Sequence, residues 1–219
     1  METDLFFQEN CTQYLLVNND CMTAMHRIPN KSVLISVRPG WCELIVGGLK
    51  TVEIRKTRPK LETPFKVYIY CTKDNTFAEK TLRGFSDDGK AIYYKANKGK
   101  VIGEFVCDRI EEIGFSPYNH GEYICKDQTF IEQSCVPFEE MFNYLGEDYG
   151  FGWHISGLLI YEKPRALTEF FTKPCVDLNS CTSDCQNFEC QTTANGLYWD
   201  CAYTVKIPPQ SWRYVYRSF

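Results

Sequence analysis

Between residues 47 and 60 the chain reads GGLKTVEIRKTRPK, and four of its side chains, Lys50, Glu53, Arg55 and Lys56, are of types that bind or react. A carboxylate set between a lysine and an arginine can take a proton from water while the lysine stabilises negative charge and the arginine forks onto phosphate or a base. Lys50 and Glu53 are therefore the candidate catalytic pair, and Arg55 and Lys56 the candidate binding residues. Val52 and Ile54 alternate with Thr51, Glu53 and Arg55, which is the period of a half-buried strand. Glu53 and Arg55 then share its polar face, and Lys50 stands in the turn before it. The competing reading is a charged strand face that is merely solvated.

Other residues of a useful type are scattered. Trp153 and Trp212 lie on expected strands, where alternation leaves core and cleft wall equally open. Either ring, like Tyr93 and Tyr94, is a platform on which an unpaired base can stack. His154, within WHISG, points either into a cleft or at a structural partner. His26, His120 and His154 are too few and too dispersed for a histidine metal centre. Residues 49 to 66 carry Lys50, Arg55, Lys56, Arg58, Lys60 and Lys66 against Glu53 and Glu62, and Lys90, Lys95, Lys98 and Lys100 form a second basic run. Such strips suit phosphate contacts, while a net charge of -4 over the whole chain limits indiscriminate binding.

The elements that must hold these side chains are mostly strands. SVLISV (32 to 37), KVYIYC (66 to 71), KVIGEFVCDRI (100 to 110), WHISGLLIY (153 to 161) and WRYVYR (212 to 217) are rich in β-branched and aromatic residues. A short helix is expected from Pro39, with Trp41, Leu44 and Ile45 on one face and Gly47 and Gly48 as its stop. A second fits PFEEMFNYLG, where Phe138, Met141, Phe142 and Leu145 form the apolar stripe and Gly146 the end. Residues 73 to 98 have weak periodicity and read as an inserted excursion. Several strands with two helices give an α+β fold, expected as a small barrel. The 219 residues suffice for one domain, and 44% apolar with 24% charged residues is ordinary for a globular protein. The acidic start METDLFF is not a signal peptide and no apolar run is long enough to span a bilayer, so a cytoplasmic protein with reduced thiols and no membrane partner is expected.

Taken in order, SVLISVRPGWCELIVGGLKTVEIRKTRP, KVYIYCTK, GKVIGEFVCDRI, WHISGLLIYEKPRALTEF and PPQSWRYV resemble the ASCH domain, a member of the PUA-like superfamily. The most specific element is the family's G-x-K-x-x-E-x-R pattern, here Gly48, Lys50, Glu53 and Arg55. The domain so delimited runs over residues 32–219, with an insertion at 73–98 and a cysteine-rich segment at 175–201. The resemblance implies a PUA-like, mostly antiparallel β-barrel with short helices and a cleft lined by the strand from Lys50 to Arg55. It also implies RNA or a modified nucleotide as the partner. Some members are similar to enzymes: one bacterial amidohydrolase removes the acetyl group from N4-acetylcytidine, using a lysine, a threonine three residues later and a distant glutamate. The lysine maps onto Lys50, the threonine position is occupied by Glu53, and the distant glutamate has no convincing equivalent. Other members are ribonucleases, which would have Lys50 and Arg55 holding a scissile phosphate. A non-catalytic reader of RNA or modified nucleic acid is the alternative from a different class.

Residues 16 to 33, LVNNDCMTAMHRIPNKSV, resemble the opening of amino DNA methyltransferases. Where those enzymes continue into a DPPY-type motif this chain continues LISVRPGW, and no Gly-rich cofactor loop follows. Residues 1–31 are therefore expected to be a leader, a fused or relict piece packed on the domain, without methyl transfer.

Seven of the twelve cysteines are scattered and suit small buried hydrophobes. The other five, Cys175, Cys181, Cys185, Cys190 and Cys201, cluster just before PPQSW. A polar segment with little core of its own suits a structural zinc ion held by four of these five thiolates. The spacing is not that of paired CxxC knuckles, so disulfides and free thiols stay open as readings. Some phage-type ASCH proteins look similar in carrying cysteines at this place. Protein purified under reducing conditions should contain about one zinc per chain and lose thermal stability on chelation. Metal-free protein that unfolds at an unchanged temperature would rule the zinc site out.

Overall fold

The computed structural model of the chain describes residues 31–73, 81–85, 91–95, 98–118, 121–172 and 203–216. The leader up to residue 30 and the five clustered cysteines lie outside the described residues. Strand β1 (Ser32–Val37) passes through Arg38 into α1 (Pro39–Val46), followed by β2 (Val52–Arg55) and β3 (Phe65–Cys71). The expected excursion contains β4 (Thr81–Phe85) and β5 (Ala91–Lys95), an antiparallel pair forming a two-stranded sheet of its own. Then come β6 (Lys100–Cys107), β7 (Ile110–Ser116), β8 (Glu122–Ile124), α2 (Thr129–Gln133) and α3 (Phe138–Leu145). Strands β9 (Gly150–His154), β10 (Ser156–Arg165) and β11 (Trp212–Val215) complete the order.

The larger sheets are β10-β6-β3-β1-β11 and β2-β9-β7-β8, and the one parallel pairing among them is β1 with β3. The α+β expectation therefore stands, with strands dominant and helices short. Among the described strands, backbone pairing leaves these two sheets separate and does not close them into a barrel. They meet instead at a corner where the chain crosses twice, from β6 to β7 through Asp108 and Arg109 and from β9 to β10 through Ile155. Two bonds fasten the corner: His154 N donates to Arg109 O at 2.9 Å, and Ile155 N donates to Thr51 O at 2.8 Å. The expected single strands at 100 to 110 and 153 to 161 are each divided here, because an unbroken β-rich run carries no mark of the point at which it changes sheets.

Three apolar clusters explain why the strands adopt this order. One face of the five-stranded sheet, with Val33, Ile35, Val67, Ile69 and Phe105, packs with α1 and with Trp153 of the other sheet. Its opposite face, with Leu34, Tyr68, Val101 and Val215, is covered by Phe170 and Val205. Both faces of β1 are therefore buried, which is why SVLISV is a nearly unbroken apolar run. On the four-stranded sheet, Val52, Ile54 and Ile113 lie beneath Phe130 of α2 and Met141 and Leu145 of α3. All four residues of β2 are buried, so the competing reading of a merely solvated polar face does not hold. No described helix is long and apolar enough to cross a membrane.

Close packing of the five-stranded sheet depends on a residue without a side chain. A Cβ at Gly103 would stand 2.5 Å from Leu159 O and 2.9 Å from the Ile160 side chain, and a backbone oxygen in a strand ladder cannot give way cheaply. Gly103→Ala should lower the unfolding free energy by about 1–3 kcal/mol, measured by urea denaturation.

Candidate functional site

The residues singled out at 50 to 55 are brought together by a helix end. Gly47 caps α1 and Gly48 takes φ 72°, a conformation that costs a glycine little. Gly48 N donates to Ile45 O at 3.0 Å and Leu49 N to Leu44 O at 2.9 Å, the paired bonds of a Schellman turn. That turn sends Lys50 inward, where it is 2% exposed. Its Nζ donates to Ser134 O at 2.6 Å and lies 3.4 Å from Glu53 Oε2, with the Trp41 ring centroid 5.1 Å away. The carbonyl that receives it precedes Cys135, a non-glycine residue in the left-handed region at φ 54°.

Glu53 Oε1 is ion-paired with Arg55 Nη2 at 2.7 Å, so a single carboxylate is shared by two buried cations. Arg55 reaches further. Its Nη2 donates to Ser36 O at 2.8 Å, and its Nη1 lies 3.2 Å from Ser211 O and 3.4 Å from Ser211 Oγ. Among the described residues its buried Nε has no partner. Burial pushes the Lys50 ammonium below its ordinary value of 10.5, and the Glu53 carboxylate opposes that shift.

These three side chains form part of the lining of a cleft of about 740 Å3. One wall is Ser36, Val37 and Arg38 at the end of β1, with Trp41 of α1 and Thr72 after β3. The facing wall is α3, through Glu140, Met141, Asn143 and Tyr144, and Gln210 stands at the rim. Lys56 is exposed just after β2, with its Nζ 5.3 Å from the centroid of the Tyr144 ring. The lining thus offers two aromatic surfaces, one shared carboxylate and cations of unequal freedom.

The other expected site residues fall elsewhere. Trp153 is 0% exposed and edge-on to Phe65, with ring centroids 5.9 Å apart, so it is core and not a cleft wall. Trp212 packs on Trp153 at 6.0 Å and donates from Nε1 to Thr57 Oγ1 at 3.0 Å, away from the cleft lining. His154 Nδ1 pairs with Asp108 Oδ1 at 2.6 Å at the corner, which makes it a partnered structural residue in this arrangement. The zinc candidates Cys175, Cys181, Cys185, Cys190 and Cys201 lie outside the described residues. Within the described ones no cluster of His, Cys, Asp or Glu has metal-binding geometry. Cys42, Cys71 and Cys107 are buried as small hydrophobes, and burial pushes the Cys107 thiol up to about 12. Sequence reasoning missed Arg38, Glu140, Asn143, Tyr144 and Gln210. Asn143 and Tyr144 do stand off the apolar stripe of α3, which is the one signal that marked them.

No protein-family model matches the chain, and no curated protein does. Solved structures to which it is similar include ASCH proteins. The ASCH structure from Zymomonas mobilis aligns with a TM-score of 0.46 and 16% identity, over 84% of this chain and 86% of that one. A Tyr-to-Phe variant from the same organism gives 0.47 and 16% over 84% and 90%, and a Ser-to-Ala variant 0.46 and 17% over 85% and 90%. The likeness transfers no residue role.

Two outcomes follow from the buried charges. Glu53→Gln deprives Lys50 and Arg55 of their common counter-ion, with side chains 1% and 7% exposed, and should destabilise the fold by about 3–5 kcal/mol in urea unfolding. Between the depressed Lys50 value and 10.5 the unfolded chain holds the proton more tightly than the folded one, so the contribution of Lys50 to stability rises with pH there. Below that window the charged amine is a constant burden. The stability of wild type relative to Lys50→Met should therefore rise through alkaline pH up to 10.5 and stay flat beneath. A difference that is independent of pH would show that the ammonium is not strained by burial.

Proposed function

We propose that the chain is an ASCH-domain protein that binds a nucleotide, single or within unpaired RNA, in the cleft between β2, α1 and α3. The observation that carries this reading is the lining itself: Trp41 and Tyr144 supply aromatic surface, and the Lys50, Glu53 and Arg55 group supplies a polar floor fixed in advance. Base stacking on such rings tolerates any sequence, while a preset floor imposes no ordering cost on binding. The G-x-K-x-x-E-x-R resemblance supports the same assignment. A cytoplasmic location and a structural zinc ion in the 175–201 segment belong to this proposal as well.

Hydrolysis of a modified base such as N4-acetylcytidine is the second reading, and one observation favours it. Burial depresses the Lys50 pKa beside a carboxylate, which brings an amine closer to the neutral form that can accept a proton. Binding without turnover is the better supported of the two, because Lys50 and Glu53 are already engaged with Ser134 and Arg55. A ribonuclease draws less support, since the donors expected to hold a scissile phosphate are taken up by carbonyls.

Tyr144 is 38% exposed, so Tyr144→Ala should spare the fold yet weaken binding of unstructured RNA by about 1–3 kcal/mol, as read by fluorescence anisotropy. Unaltered affinity would move the site away from this cleft. Acetate release from N4-acetylcytidine by wild type, lost in Lys50→Met, would favour hydrolysis; no release from either, with RNA bound, would leave the binding module.

A further inference from the structure

The cations of the cleft differ in what they have left to offer a ligand. Lys50 donates to Ser134 O and is ion-paired with Glu53, and its ammonium lies against the Trp41 ring. Arg55 Nη2 donates to Ser36 O and is ion-paired with Glu53, and Nη1 faces both oxygens of Ser211. The remaining Nε is buried. Lys50 and Arg55 are only 2% and 6% exposed and share Glu53 as counter-ion, so neither is presented to an incoming anion.

What the floor does offer is an acceptor. A carboxylate has about four lone-pair sites, and Glu53 uses each oxygen once, towards Arg55 and towards Lys50. The floor therefore suits an N–H of the ligand, not a phosphate. Arg38 is the opposite case. It lines the cleft at the end of β1, its side chain is exposed, and among the described residues no side-chain hydrogen bond, ion pair or ring contact engages it. Its guanidinium keeps all five donors in the planar fork that matches two phosphate oxygens.

Resting on the nucleotide-binding reading above, we propose that Arg38 is the specificity-determining residue of the cleft, grasping the phosphate of a nucleoside monophosphate whose base directs an N–H towards Glu53. The site then has a fixed polarity, with the base inward and the phosphate at the rim. It takes nucleotides in preference to nucleosides, and Arg38, not Lys50 or Arg55, supplies the difference.

The test is isothermal titration of the full chain with cytidine and with cytidine 5′- and 3′-monophosphate, extended to the adenosine, guanosine and uridine counterparts, using wild type, Arg38→Ala, Arg38→Lys and Lys60→Ala. Wild type should bind a monophosphate about ten- to a hundred-fold more tightly than its nucleoside. Arg38→Ala should bring that ratio close to one and leave nucleoside affinity unchanged, with thermal unfolding as a check that it is folded. Arg38→Lys should restore part of the ratio, being a point charge without the fork, and Lys60→Ala, outside the cleft lining, should keep it whole. A ratio that survives Arg38→Ala, or equal binding of nucleoside and nucleotide by wild type, overturns this proposal and spares the nucleotide site. Failure of wild type to bind any of these compounds or unstructured RNA overturns both.

Discussion

The guanidinium of Arg55 does for this fold what backbone pairing does not. It extends from β2, the edge of the four-stranded sheet, to Ser36 O on β1 and to Ser211, which precedes β11 at the edge of the five-stranded sheet. Ser211 O also accepts from Ser36 N at 3.0 Å, so the arginine is a second donor to a carbonyl the backbone already engages. Glu53 holds the guanidinium in place and is itself held by Lys50, so the three charges act as one clasp. Such a group is weak evidence of net stability, since burying charge costs several kcal/mol per ion before any attraction is regained. Its effect is in geometry: the bonds from Arg55 to Ser36 and Ser211 and its pairing with Glu53 are met together in this relative placement of the two sheets.

Much of this could be read from residues, and the failures have definite causes. Pro39, Gly47 and Gly48 bound α1 as expected, because a fixed φ at the start and a left-handed turn at the end are local demands. The stripe of α3 is legible in part: Met141 and Leu145 are buried, while Phe138 and Phe142 stay exposed and stack on each other. The alternation of β2 marks a strand correctly but a half-buried one, whereas all four of its residues are buried. Alternation records a difference between two faces; whether the polar one is covered depends on a sheet encoded many residues away. Trp153 shows the same limit. It is the register partner of Glu53, so tryptophan and carboxylate share one interior face, a fact that follows from pairing and not from composition. Helix α2, at five residues, is too short to display a period.

The basic strip is instructive for a related reason. Counted along the sequence, residues 50 to 66 carry six cations, yet the structure sorts them into distinct populations. Lys50 and Arg55 are buried and engaged, and Lys66 pairs with Glu104 at 2.7 Å on the outer face. Lys56 remains exposed beside Tyr144. A charge run therefore overstates the local positive potential, because each engaged cation brings a neutralising partner from elsewhere in the chain.

The clasp also constrains how the site can vary. Its residues hold the sheets together and form the cleft floor, so a substitution that altered what the floor recognises would release the sheet edges as well. The rim carries no such double duty. Arg38, Glu140, Asn143, Tyr144 and Gln210 are exposed, come from a strand end, a short helix and a loop, and contribute little to the three apolar clusters. Changes there can retune charge and stacking at small cost to stability. The division of labour is thus physical: a buried floor sets position and hydrogen-bond polarity, and an open rim decides which ligand meets it.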